Sequence, residues 1–308
     1  MRRDPLASVR LAPVAVFAYK RPAHLARTLD SLAANPEADR TDIVIYCDAA
    51  RRLEDQAGVA EVRTVVDTPR SFQSTTVVRR DTNYGLARSI IDGVTRMLEL
   101  HGEVIVVEDD LLLSRHFLRY MNDGLRRYAA EPRVASIHGY SYPTAEPLPE
   151  TFFLRGADCW GWSTWSRAWK EFDQDGARLL AALREHKLVK RFDLDGSQPF
   201  ARMLEDQVDG RNDSWAIRWH ASSFLAGRLT LYPGRSLVEN IGNDSTGTHC
   251  GTSSAFARPP TTAPVPVEAI AIEESAVARA AFARFLARRR RLFDRTRQVL
   301  ARTLQLVR

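Results

Sequence analysis

Val104-Ile105-Val106-Val107-Glu108-Asp109-Asp110 places four apolar residues of strand type directly before three acids, and Leu111-Leu112-Leu113 then resumes the apolar text. A buried strand ending this way presents its carboxylates together at the rim of a sheet. Three acids so close repel one another and raise each other's proton affinity unless a cation or a donor-rich ligand sits between them. A hard divalent ion such as Mg²⁺ or Mn²⁺ fits this chemistry, because one or two carboxylates plus substrate phosphates hold it. A solvated acidic turn is the plainer alternative.

Working outward, residues 14–18 read as a strand, and Leu25, Leu29 and Leu32 follow at helical spacing. Residues 42–47, 75–79, 103–107 and 134–138 are further strands. Between them, residues 54–66, the stripe Leu86, Ile90, Val94 and Met97, and the stripe Phe117, Met121, Leu125 and Tyr128 are helices. Strands alternating with helices predict a three-layer α/β/α sandwich on a mostly parallel sheet, in which ligands bind at the carboxyl ends of the strands. Lys20, Arg21, Asp48 and the acids 108–110 all fall at such ends.

From about residue 152 the texture changes. All six tryptophans lie beyond it, with Trp165/Trp169 and Trp215/Trp219 spaced i,i+4 as on helices. The expected organisation is a catalytic domain over residues 1–256, with a nucleotide-binding half (12–150) and a Trp-rich acceptor half (151–256). A Pro-rich linker (257–274) and a basic amphipathic helix (275–308) follow. The last segment carries ten Arg against one acid, Asp294, so it holds +9 of a net +6 and leaves the preceding residues mildly acidic. A nucleic-acid-binding body needs basicity on the globular part, and here it belongs to the tail. That tail either lies on an anionic bilayer with its apolar side buried or packs on the domain or a second copy.

At 308 residues and 44% hydrophobic content the chain can bury a full core. No stretch approaches the roughly twenty apolar residues of a membrane span. The apolar run at 14–18 is too short for a signal-peptide core. Cys47, Cys159 and Cys250 lack paired spacing, so neither a disulfide framework nor a zinc knuckle is indicated, and a reducing cytoplasm is the expected compartment.

No two of the sixteen glycines stand two positions apart, which excludes a GxGxxG loop, and GxxxxGK[ST] is also missing. A nucleotide would therefore be held by side chains at strand ends. Asp48 is placed to accept from a base N–H and Arg21 to meet base or phosphate; either is equally a turn or capping residue. Asn83-Tyr84-Gly85 opens the long helix, where free N–H groups favour an anion, or where Asn83 simply caps.

The segments 13–22 (PVAVFAYKRP), Asp48, Glu108-Asp109-Asp110-Leu111 and Asn212-Asp213-Ser214-Trp215 occur in the order found in inverting glycosyltransferases of the GT-A fold. They resemble the N-acetylglucosaminyltransferase I family, and Trp160-Gly161-Trp162-Ser163-Thr164-Trp165 with the segment 240–250 resembles its bacterial branch. The resemblance spans roughly residues 13–250. It implies a nucleotide-diphosphate sugar donor, a UDP-sugar by preference, bridged by Mn²⁺ or Mg²⁺, and a glycan or lipid-linked acceptor.

By the same resemblance Asp110 is the direct metal ligand, with Glu108 and Asp109 supporting donor and ribose. Arg21 and Asp48 contact the donor and His249 adds to the metal or diphosphate, while Asn83 is a further donor-binding candidate from its place at the helix start. Lys20 departs from the Asn usual before the arginine. Asp213 is the expected base, although Ser214 separates it from Trp215 where the family has acid and tryptophan adjacent; Glu205-Asp206 is the rival pair. Trp160 and Trp162 are expected on the acceptor side, since pyranose C–H faces lie well on an indole; core packing is the competing role for the tryptophans. Two other functions compete: a non-catalytic nucleotide-sugar-binding protein, and a sugar nucleotidyltransferase, which normally has a Gly-rich loop where residues 18–24 contain no Gly.

Overall fold

The computed structural model describes residues 10–244 and 254–306. Its first half alternates β1 (Val14–Ala18), α1 (Pro22–Ala33), β2 (Asp42–Cys47), α2 (Gln56–Asp67), β3 (Ser74–Arg79), α3 (Leu86–His101) and β4 (Glu103–Glu108). There follow β5 (Leu111–Leu113), α4 (Phe117–Arg127), β6 (Val134–His138), β7 (Thr151–Arg155) and β8 (Trp162–Trp165). Helices α5 (Ser166–Trp169), α6 (Gly176–Glu185), α7 (Val189–Phe192), α8 (Phe200–Val208) and α9 (Trp215–Leu225) precede β9 (Leu229–Pro233), β10 (Val238–Asn240) and α10 (Ala276–Leu306).

Eight strands form one sheet in the order β3-β2-β1-β4-β8-β6-β9-β7, and β5 pairs with β10 in a separate ribbon. The block β3-β2-β1-β4 is parallel; β8 enters antiparallel between β4 and β6, and β7 is antiparallel to β9. Strand side chains alternate between faces, so β1 serves two cores. Val14 and Val16 join Leu25, Leu29, Val62 and Met121 on one side, while Ala15 and Phe17 join Ile90, Val94, Met97 and four tryptophans on the other. These are the expected three layers. The chain leaves β1 towards β2 and β3 but returns on the other side as β4, so the order reverses between β1 and β4, where open α/β sheets form a ligand crevice.

One expectation changes, and two later segments pack on the sheet domain. Trp165 closes β8 rather than sharing a helix with Trp169, because α5 begins only at Ser166. The Pro-rich segment packs on the domain: Val265 and Val267 are buried, Ser114 Oγ donates to Thr261 O at 2.6 Å and Arg127 Nε to Val267 O at 2.9 Å. The opening turns of α10 bury Ala278, Ala281, Phe282 and Leu286, with Phe282 edge-on to Tyr142 at 4.7 Å. Among the described residues no helix is long and apolar enough to cross a membrane.

Candidate active site

The β1–β4 crevice is built from the residues that end those two strands. Arg21, just before α1, reaches across to the β4 end, where its guanidinium pairs with Asp109 Oδ1 and, at 3.0 Å, with Asp110 Oδ2. Asp109 is buried and further held by Tyr19 N at 3.3 Å. One guanidinium thus faces three carboxyl groups. Burial first, and then the Asp110 and Asp109 charges, push the Glu108 carboxyl up to about 8 despite Arg21. Burial likewise raises Asp109, with Arg21 opposing.

The β5–β10 ribbon lays the chain after Asn240 over these acids. Asn240 pairs with Leu111, Ile241 N donates to Asp110 O at 2.8 Å, and Gly242 N donates to Asn240 Oδ1 at 2.9 Å. Gly242 is required by close approach, since a Cβ there would overlap Asp110 Oδ2 and stand 2.9 Å from Arg21 Nη1. Arg21 Nη1 is buried and has no hydrogen-bond partner among the described residues. His24 Nε2 lies 3.1 Å from Asp244 Oδ2, at the last residue described before the segment holding His249, which lies outside the described residues.

Asp48 ends β2 as a loop anchor. Its Oδ1 accepts from Ala49 N and Tyr84 N (2.9 and 2.8 Å), its Oδ2 from Asn83 Nδ2 and Gly85 N (3.1 and 2.9 Å). A carboxylate offers about four acceptor directions, so all are engaged within the protein. Asn83 does not cap α3; Gly85 holds that position at φ +72°, and Asn83 donates to Ala49 O at 2.7 Å. Beside it, the Tyr84 ring lies between the guanidinium groups of Arg80 and Arg88, 4.2 and 3.9 Å from its centroid. Lys20 does not face the acids either, because it pairs with Asp55 at 2.5 Å.

In the later half the expectations divide. Trp160 is half-buried beside Tyr140, 4.7 Å between ring centroids. Trp162 is not on an acceptor surface: it is fully buried in β8, stacked on Trp215 at 5.4 Å. Asp213 is 75% exposed and paired with Arg218 at 2.9 Å, and it lines an open groove along α3 rather than the crevice. Ser214, not Asp213, caps α9 by accepting from Ile217 N. Glu205 and Asp206 are tied to Arg184, Arg202 and Arg211 on α8.

Sequence reasoning passed over the segment between β7 and β8. In the antiparallel β4–β8 ladder Val106 stands opposite Trp162, so the residues just before β8 lie toward the end of β4 that carries Glu108. Asp158 and Cys159 therefore come to the same rim. Burial raises the Cys159 thiol well above its usual range, and the charges of Asp158, Glu108 and Asp110 add to that, as neighbours would. The WGWSTW stretch carried the signal, but only a strand over its last four residues exposes it.

No family model matches this chain, and no curated protein matches it in sequence. Among solved structures it is similar to a mannosyltransferase, PcManGT, from Pyrobaculum calidifontis in complex with GDP-Man and Mn²⁺, at 14% identity over 70% of each chain and a TM-score of 0.37. It is also similar to TarS of S. aureus, at 14% identity over 53% of this chain and 30% of that one, with a TM-score of 0.32.

Proposed function

We propose that the chain is a metal-dependent glycosyltransferase that moves a sugar, with inversion, from a nucleotide-diphosphate donor to a glycan or lipid-linked acceptor. The observation that carries this reading is the cluster of three carboxyl groups at the β1–β4 switch point, where the single guanidinium of Arg21 meets Asp109 and Asp110.

The donor set suits a hard cation. Asp110 Oδ2 accepts from Arg21 at 3.0 Å, and among the described residues no three acidic, imidazole or thiol side chains converge on one point, so Asp110 would be the direct ligand for Mn²⁺ or Mg²⁺ with phosphate and water taking the remaining positions. Bound there, the ion would supply charge neutralisation for the departing diphosphate. Arg21 and its unpartnered Nη1 face the diphosphate. Asp48 acts on the donor through the loop it closes, Asn83 and the start of α3, where backbone N–H groups favour an anion. Glu108 and Asp109 complete the anionic floor, Trp160 faces the acceptor, and His249 remains a candidate metal or diphosphate ligand. A cytoplasmic setting, with α10 touching a membrane surface, is part of the same reading.

Thermal unfolding against UDP, GDP and CMP, each with and without Mn²⁺, tests it, because a ligand at about 100 times its Kd adds about 2.7 kcal/mol. UDP is expected to raise the midpoint only when Mn²⁺ is present. If no nucleotide shifts it with either Mn²⁺ or Mg²⁺, the donor site is refuted.

A further inference from the structure

We propose that Asp158, on the segment between β7 and β8, is the base that takes the proton from the attacking hydroxyl, an assignment that rests on the donor reading above.

A general base must be within reach of the reacting atoms and free to accept a proton. The other candidates are engaged or misplaced: Asp213 pairs with Arg218 and lines the groove along α3, and Glu205 and Asp206 are ion-paired with Arg184, Arg202 and Arg211. Asp158 has no Lys or Arg partner among the described residues. The His138 ring faces it, with Nε2 4.0 Å from Oδ1, and burial holds that imidazole below its usual range. The His138 Nε2 already accepts from Trp160 N at 3.1 Å, as a neutral ring would.

Asp158 is also positioned. Its Oδ1 accepts from Cys159 N at 2.8 Å, which holds the carboxylate against the following residue. The preceding turn is pinned to α9, where His220 Nδ1 lies 2.6 Å from Ala157 O. The side chain is 28% exposed, neither lost in the core nor free in solvent. On one side, the charges of Glu108 and Asp110 reach Cys159, its chain neighbour. On the other it lines a cavity of about 130 Å³ walled by Phe200, Ala216, Phe224 and Tyr232. An alcohol entering from that side would meet the carboxylate before the donor. In the step, the hydroxyl proton passes to the Asp158 carboxylate and the oxygen bonds to the anomeric carbon. The bond from that carbon to the diphosphate breaks, and its electron pair leaves with the nucleoside diphosphate.

Release of nucleoside diphosphate from UDP-glucose, UDP-N-acetylglucosamine and GDP-mannose, with Mn²⁺ and water as acceptor, reads this out. Asp158→Asn should cleave the preferred donor at least ~100-fold more slowly while keeping the wild-type thermal shift with the matching nucleoside diphosphate. In Asp158→Ala, added azide, a nucleophile needing no base, should restore cleavage as the glycosyl azide. Wild-type cleavage in Asp158→Asn, no azide rescue, or nucleotide binding without any wild-type cleavage overturns the assignment alone. A wild-type protein that neither binds nucleotide nor cleaves donor overturns the donor reading and this one with it.

Discussion

Arg21 and Asp109 form an ion pair across the crevice between β1 and β4, with the carboxylate buried and the guanidinium only 19% exposed. The pair joins the two strand ends where the sheet order reverses. Breaking a buried pair by removing one member leaves the other charge uncompensated, which costs about 3–5 kcal/mol. Arg21→Ala should therefore lose that much in urea unfolding at neutral pH. A loss below about 1 kcal/mol would mean that the crevice is open to water and Arg21 merely a surface partner.

Asp110→Asn separates charge from shape. Arg21 keeps Asp109, so the fold should hold, but the ligand carboxylate is gone. The Mn²⁺-dependent part of the nucleotide thermal shift should vanish, leaving any metal-independent part unchanged. A full metal-dependent shift in this variant would remove Asp110 from the metal site.

Asp48→Ala withdraws an acceptor from Tyr84 N, Gly85 N, Ala49 N and Asn83 Nδ2 together. An unsatisfied buried donor costs about 1–3 kcal/mol, so a loss of at least about 2 kcal/mol is expected, with faster amide exchange at Gly85. Exchange at Gly85 as slow as in the wild type would show that the loop closes without Asp48.

The first half of the fold was legible because strands such as β1, β2 and β4 are largely apolar runs of five or six residues followed by turn or charged residues, and the helices between them show apolar stripes. Residues 14–18, 42–47 and 134–138 coincide with β1, β2 and β6. Beyond residue 150 that local code fails. β8 reads Trp-Ser-Thr-Trp and is a central strand only because β4 and β6 flank it, a long-range fact with no local mark. Trp162 was for this reason expected on the acceptor side, and Asp158 went unnoticed. The acids 108–110 were legible as a cluster, but their internal counter-ion, Arg21, was visible only once β1 and β4 lay side by side.

Trp162 measures how far that misplacement matters. Its ring is fully buried among Trp169, Trp215 and Trp219. Truncating such a residue costs about 3–5 kcal/mol through lost transfer energy and the cavity left behind. Trp162→Ala should show that loss in urea unfolding, with nucleotide affinity of the folded fraction unchanged. A stable Trp162→Ala protein with weakened ligand binding would return Trp162 to the binding surface.

His138 gives the chain a defined acid limb. The ring is fully buried, and burial lowers its proton affinity below that of an unfolded histidine. Above the usual histidine range both states are neutral and His138 adds no pH dependence. As pH falls through about 6.5 the unfolded chain takes up a proton that the folded one refuses, so stability falls by up to about 1.4 kcal/mol per pH unit. His138→Gln, whose amide oxygen can still accept from Trp160 N, should remove that part of the slope between pH 7.5 and 5.5 in urea titrations. An unchanged slope would mean that folded His138 protonates freely, and that the Asp158 carboxylate then has a cation beside it after all.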